Sequence, residues 1–223
     1  MSTAYLLWGP PGAGKSTLKN VYGENTILKN TDDIVDFVCN PDTQDEYWAC
    51  RKDDKTKSID RYLNHLSVTQ GKNIAIETTG NWYGKYKLKG QMVTWAQELK
   101  RTFKKVIVLV VYVNDVGEIW KRIQNRDQLS VTEAQLKETY SKSYKENMIT
   151  LIQDPYVDDI QVYDNSGTTP SLLVTKKGMS NAKALKESSC YRDWFLSQLE
   201  NTSVSTCGLD NNGVKFNGVK LKF

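Results

Sequence analysis

The chain has 223 residues, of which 39% are hydrophobic and 25% charged, and its formal net charge is +4. That material supplies one sizeable core and one to two domains, and it excludes a wholly disordered chain. The longest apolar run, Val106–Val113, is strand-sized and far short of a membrane span. The first residues lack a basic start and a small-residue cleavage site, so the expectation is a cytoplasmic protein with no signal peptide and no membrane partner.

In chain order, Thr3–Trp8 is a short apolar run ending at a glycine and reads as a buried strand, with Lys15–Tyr22 as the helix after it. Asn25–Asn30 reads as a second strand. The stretch from Asp32 to Asp54 carries eight acidic residues and Asn40-Pro41, which suggests a short helix and a loop. Ile59, Tyr62, Leu63 and Leu66 recur at helical spacing, and His65, the single histidine, is expected at the surface or the boundary of that amphipathic stretch. Asn73–Glu77 reads as a third strand, Gly80–Gly90 as a polar and aromatic loop, Met92–Phe103 as a helix and Lys105–Val113 as a fourth strand. Val116, Ile119, Trp120 and Ile123 form another helical stripe. Ser130–Glu133 fits a capping box opening a long helix, with the stripe Leu136, Tyr140, Tyr144, Met148, Leu151 and Ile152. Asp159–Tyr163 reads as the fifth strand.

Five short strands alternating with helices predict an α/β fold, a five-stranded parallel sheet with helices on both faces. Residues 1–175 would form this domain. Residues 176–223 would form a small C-terminal extension, with a helix over Ala182–Leu199 and a hairpin around Asn217-Gly218. The charge excess lies in this extension, which has eight basic and four acidic residues against 22 of each elsewhere. Such a segment suits a nucleic acid or another polyanion, or an ordinary solvated surface. Cys39, Cys50, Cys190 and Cys207 form no C-x-x-C pair and are expected as free thiols in a reducing compartment.

The class is decided by Gly9-Pro10-Pro11-Gly12-Ala13-Gly14-Lys15-Ser16-Thr17, which matches G-x-x-x-x-G-K-[ST]. Glycines let the loop curl so that its backbone N–H groups, from Pro11 through Thr17 wherever an N–H exists, face an anion. The Lys15 ammonium suits the β- and γ-phosphates, and the Ser16 hydroxyl suits Mg²⁺. The motif follows a strand and opens a helix, as a phosphate-binding loop requires, so ATP and Mg²⁺ are the expected cofactors. The Asn-Lys-x-Asp of GTPases is absent, and so is an acidic pair at the end of the third strand.

On these residues, together with Asn30-Thr31-Asp32, Ile76-Glu77-Thr78-Thr79 and the arginines after the fourth strand, the chain resembles the P-loop small-molecule kinases, and more closely the zeta-toxin-type kinases. The resemblance covers residues 3–174. It implies a P-loop NTPase three-layer fold, and it assigns the general base to Asp32, with Asp33 in reserve. The residues themselves also allow Asp32 and Asp33 to cap a helix starting at Ile34. The resemblance further implies that Arg122 and Arg126 clamp the transferring phosphoryl group, that Asn165 lies near the adenine, and that a protein inhibitor exists. A solvated basic face for the arginines and a plain turn for Asp164–Ser166 stand beside those readings.

Glu77, at a strand's carboxyl end, suits Mg²⁺ through water or a substrate hydroxyl, and Thr78 and Thr79 offer hydroxyls. The aromatic and basic loop containing Trp82 and Tyr83 suits stacking of an acceptor base, or a core position with solvated lysines. The leading expectation is transfer of the ATP γ-phosphate to a hydroxyl of a small molecule, such as a nucleotide or nucleotide sugar. The alternatives are a polynucleotide 5′-hydroxyl kinase and a nucleotide-binding regulatory protein without transfer activity.

Overall fold

A computed structural model describes residues 2–81, 83–84, 86–88, 91–125, 131–176, 190–200, 209–210, 213–216 and 219–220. Strand β1 (Thr3–Trp8) runs into the glycine loop, a 3-10 turn over Lys15–Leu18 and the single helical turn α1 (Lys19–Tyr22). The expected helix over Lys15–Tyr22 is thus split, its first turn being wound more tightly. Strand β2 (Thr26–Lys29) leads to α2 (Thr31–Cys39), α3 (Gln44–Lys52) and α4 (Asp54–Thr69). Two helices therefore occupy the stretch expected to hold one helix and a loop, because Thr43 caps a second start by accepting from the Glu46 amide.

Strand β3 (Asn73–Thr78) is followed by a hairpin of β4 (Tyr86–Leu88) and β5 (Gln91–Val93), then α5 (Trp95–Lys100). The helix expected from Met92 begins three residues late. Thr94 caps it by accepting from the Gln97 amide, and Met92 and Val93 are spent on the hairpin. Strand β6 (Lys105–Tyr112) and α6 (Val116–Gln124) follow as expected. The capping box of α7 (Glu133–Ser141) pairs Thr132 with Gln135, not Ser130 with Glu133. A π-helical segment, Lys142–Glu146, joins α7 to α8 (Asn147–Gln153). All six residues of the expected long-helix stripe are buried.

Strand β7 (Asp159–Asp164) and β8 (Ser171–Thr175) complete the sheet, whose order is β2-β3-β1-β6-β7-β8. The five expected strands are all parallel. The sheet has a sixth strand, β8, antiparallel to β7. Its Ser-Leu-Leu-Val-Thr sequence is short and needs only a turn to reach β7. Helix α9 (Cys190–Glu200) brings Tyr191, Trp194 and Phe195 into the main core. The short strands β9 (Leu209–Asp210), β10 (Gly213–Phe216) and β11 (Val219–Lys220) form an antiparallel trio, so the expected hairpin is present, with its tip outside the described residues. Among the described residues no helix is long and apolar enough to cross a membrane.

Two packing features hold the site end of the sheet. The buried Trp8 indole donates to the Ser143 carbonyl at 2.8 Å, and Gly80, at φ +74°, lies so close beneath it that a Cβ would meet Trp8 Cζ2 at 2.3 Å. The π-helical segment also lets the Ser143 hydroxyl donate to the Thr79 carbonyl. Beside it, Tyr112 stacks on Tyr191 with ring centroids 4.4 Å apart, and Tyr140 and Tyr144 meet edge to face.

The cysteine expectation needs correction. Cys39, at the end of α2, and Cys50, in α3, form a disulfide with a Cα–Cα distance of 6.2 Å. Sequence spacing did not suggest it because the pairing depends on how α3 packs against α2.

Candidate active site

The loop after β1 is fixed from three sides. The Gly9 amide donates to the Thr78 carbonyl, the Ala13 amide donates to the Pro10 carbonyl, and the Thr17 hydroxyl donates to the Gly14 carbonyl at 2.6 Å. Gly14 has φ +90°, which favours glycine, and a Cβ there would lie 2.4 Å from Asn165 Nδ2. Pro11 and Gly12 are half-buried, Ala13 is buried, and the Ser16 and Thr17 side chains reach solvent. The Lys15 ammonium donates to the carbonyls of Gly9 and Pro10 at 3.1 and 3.2 Å, held over the curl of the loop.

The carboxyl ends of β1, β2 and β3 lie side by side, so the chain elements after them converge. Leu7 is in register with Glu77 and Trp8 with Thr78, which sets Glu77 and Thr78 beside the start of the glycine loop. The Glu77 carboxyl is raised above its ordinary range, first by desolvation. Lys15 opposes that rise, and Asp33 and Asp32 add to it. These four groups therefore share one electrostatic neighbourhood, although 62 residues separate Lys15 from Glu77. The Thr78 hydroxyl is engaged by the Gly80 amide at 3.0 Å.

Asp32 and Asp33 do not cap α2. Asn30 does, accepting from the Asp32 amide at 2.9 Å, and the helix starts at Thr31. Both carboxylates thus lie in the first turn, exposed and free of capping duty, where the helix dipole favours negative charge. The Asp33 carboxyl is raised by desolvation and then by Asp32 and Asp36. Asp32 has a partner that sequence reasoning missed: the buried Tyr47 hydroxyl of α3 donates to Asp32 Oδ1. No motif marks Tyr47. The only local hint is its place one turn before Cys50, on the same face of α3.

Asn165, buried at the end of β7, donates from Nδ2 to the Ala13 carbonyl at 2.8 Å. Arg122 donates from Nη2 to the Asn165 carbonyl at 3.1 Å and pairs with Glu118 at 3.4 Å. The structure thus joins Arg122 and Asn165 on one flank of the loop. Arg126 and Trp82 lie outside the described residues. Tyr83 does not offer a stacking surface. Its ring is 4% exposed and packs edge-on against Trp8, and its hydroxyl donates to Asp154 at 2.5 Å.

The donors suit magnesium. The Ser16 hydroxyl and Glu77 carboxylate are hard oxygens beside the loop, and Mg²⁺ takes few protein ligands, completing its shell with phosphate and water. Among the described residues no group of three His, Cys, Asp or Glu side chains gathers into a fuller metal site.

By sequence, the chain matches no family model and no curated protein. By structure, it is similar to a chain from the PezAT chromosomal toxin–antitoxin system of Streptococcus pneumoniae, with TM-score 0.57 and 16% identity over 90% of this chain and 85% of that one. It is also similar to shikimate kinase from Bacteroides thetaiotaomicron, with TM-score 0.43 and 13% identity over 90% and 95% of the two chains. A chain of the Pnkp1/Rnl/Hen1 RNA repair complex gives TM-score 0.43 and 17% identity over 63% and 43%. The first likeness is one of fold, a mainly parallel sheet packed with helices.

Proposed function

We propose that this chain of P-loop kinase fold is an ATP- and Mg²⁺-dependent phosphotransferase that moves the γ-phosphoryl group to a hydroxyl of a small molecule, a nucleotide or nucleotide sugar. The observation that carries this reading is the meeting of Lys15, Asp32, Asp33 and Glu77 at the carboxyl ends of three adjacent strands. A hydrolytic switch needs the phosphate loop and a water-positioning group. A kinase needs, in addition, a carboxylate placed to take the acceptor's proton, and α2 presents two.

In this reading, the acceptor hydroxyl enters above the first turn of α2. Asp32 takes its proton as the oxygen attacks the γ-phosphorus, and ADP leaves. The loop amides and Lys15 hold the β- and γ-phosphates, while Asn165 and Arg122 shape the flank on which the rest of the nucleotide rests. Arg126 adds positive charge to the transferring group. Ser16 and Glu77 would hold Mg²⁺, which supplies further positive charge to the phosphate oxygens. Thr79 and Trp82 belong to the acceptor side, and the reaction takes place in the cytoplasm.

The test is transfer of label from γ-labelled ATP to a panel of nucleosides, nucleotides, nucleotide sugars and 5′-hydroxyl oligonucleotides, with Lys15→Ala alongside. Label on a nucleotide or nucleotide sugar, lost in the variant, is expected. Label only on oligonucleotides would move the acceptor to nucleic acid ends. ATP binding with no labelled acceptor would favour a regulatory protein.

A further inference from the structure

We propose that Tyr47 is a positioning residue for Asp32 and that the Cys39–Cys50 disulfide is the latch that keeps it in place, so that reduction slows phosphoryl transfer. The inference deepens the reading above and rests on Asp32 being the base.

Asp32 is exposed, and its backbone amide is committed to Asn30, so nothing on α2 itself orients the carboxylate. The Tyr47 hydroxyl does so from α3, by donating to Oδ1. A donor on one oxygen fixes the carboxylate plane and leaves the second oxygen to accept the acceptor's proton. Proton transfer is sensitive to that placement, since the base must lie within hydrogen-bond reach of the hydroxyl.

Beyond Arg51 on its own helix, what holds Tyr47 is slight. Tyr47 and Cys50 form a satellite cluster with Val35, flanked by Val38, apart from the main core. The α2–α3 connection turns through Asn40, at φ 45°, and Pro41. Helix α4 packs on both α2 and α3, and the Sγ–Sγ bond is the covalent tie between the two. Cys50 lies three residues after Tyr47, so the bond fixes the face that carries the hydroxyl.

The latch can open without unfolding. Cys39 is exposed and Cys50 is buried. A dithiol reductant attacks Cys39 Sγ through one thiolate, the Sγ–Sγ bond breaks, and Cys50 leaves as a thiolate that takes up a proton. The second thiol of the reductant then attacks the mixed disulfide and releases Cys39, so two electrons pass to the protein and the reductant becomes a disulfide. The resulting Cys50 thiol already has an acceptor, the Val35 carbonyl at 3.8 Å, and Thr56 Oγ1 lies 3.6 Å away. Both redox states are thus accommodated, as suits a bond used for control in a reducing compartment.

The experiment measures phosphate release from MgATP with water as acceptor, together with amide exchange over residues 31–52. It compares oxidised and dithiol-reduced wild type, Cys39→Ser, Tyr47→Phe and Asp32→Asn. Tyr47→Phe should lower kcat about tenfold, the loss of one hydrogen bond to a charged group, with KM for MgATP unchanged. Reduction, or Cys39→Ser, should speed exchange in α3 and lower kcat about threefold in wild type, with no further loss in Tyr47→Phe, because the two changes act through one contact. Unchanged exchange on reduction would overturn the latch. Equal losses on reduction with and without the Tyr47 hydroxyl would overturn its action through Tyr47. A full rate in Tyr47→Phe, with Asp32→Asn inactive, would overturn the positioning role alone. A full rate in Asp32→Asn would instead overturn the base assignment, and the positioning role with it.

Discussion

Asn165 Nδ2 and the Ala13 carbonyl oxygen are 2.8 Å apart, a hydrogen bond that ties the end of β7 to the phosphate loop across 152 residues of sequence. Both groups are buried. Asn165→Ala leaves the Ala13 carbonyl without this donor and should cost about 1–3 kcal/mol of stability. It should also weaken MgATP binding, because the loop loses the strut that sets its curvature. Asn165→Asp should be worse, since a carboxylate oxygen replaces the donor beside a carbonyl and near the expected phosphates. Gly14→Ala should match the stronger of these, as its Cβ would displace the same amide at a left-handed φ. Calorimetric titration with MgATP and thermal melts of the three variants check this ordering.

The two carboxylates that open α2 should separate by role. Asp32→Asn should lower transfer by about 10²–10⁴-fold, the usual range for a general base. MgATP affinity should hold within about twofold, as no phosphate contact is lost. Asp33→Asn should cost at most about tenfold, since Asp33 acts on the site through charge alone. Single-turnover rates and equilibrium binding on the same samples check both. Equal losses from the two substitutions would show that the pair acts as one unit.

Glu77→Gln should stabilise the fold at neutral pH while reducing activity. The Glu77 carboxyl is raised by desolvation, so its folded state favours the neutral acid. The sign follows: the stability it contributes is present below its unfolded value and is lost as pH rises through the raised folded value. At neutral pH the half-buried charge is a cost that glutamine removes. The gain should vanish near about pH 4, where glutamate is neutral as well. Thermal melts of wild type and variant from acid to neutral pH check this, and MgATP should stabilise the wild type more than the variant.

The tyrosine cluster sets an alkaline limit. Tyr112, Tyr140, Tyr144 and Tyr191 are all raised above the ordinary value of 10.0, in each case first by burial and then by neighbouring groups. Their contribution is complete below that value and is lost above it, where the unfolded chain ionises and the folded one does not. Stability should therefore fall from about pH 10 upward, each buried tyrosine adding about 1.4 kcal/mol per pH unit to the slope. Denaturant midpoints against pH should show this fall. Tyrosinate absorbance of these four rings should appear only with unfolding.

Much of the chemistry was legible in the order of residues. The phosphate loop is a contiguous motif whose glycines and lysine act locally, and Glu77 and Asp32 each end or follow a segment short enough to read as a strand. Strand β8 escaped because its five residues carry no alternation. The β4–β5 hairpin escaped because Tyr86 to Val93 mixes lysines with scattered apolar residues, and no turn dipeptide of the Asn-Gly kind marks it. The capping role of Asn30, and with it the freedom of Asp32 and Asp33, turned on α2 beginning at Thr31 and not at Ile34, which only backbone geometry resolves.

The sequence by itself determined the sheet's parallel core, the place of the phosphate loop between β1 and α1, and the inward stripe from Leu136 to Ile152, because each rests on contiguous or periodic residues. The tertiary structure alone decided that Tyr47 holds Asp32, that Cys39 meets Cys50, that Asn165 braces Ala13, and that Tyr83 is spent on Trp8 and Asp154. Those pairings join residues on separate elements. They depend on how α3 packs against α2 and on how the end of β7, one strand removed from β1, reaches the phosphate loop, and packing settles such angles only when the whole core is assembled.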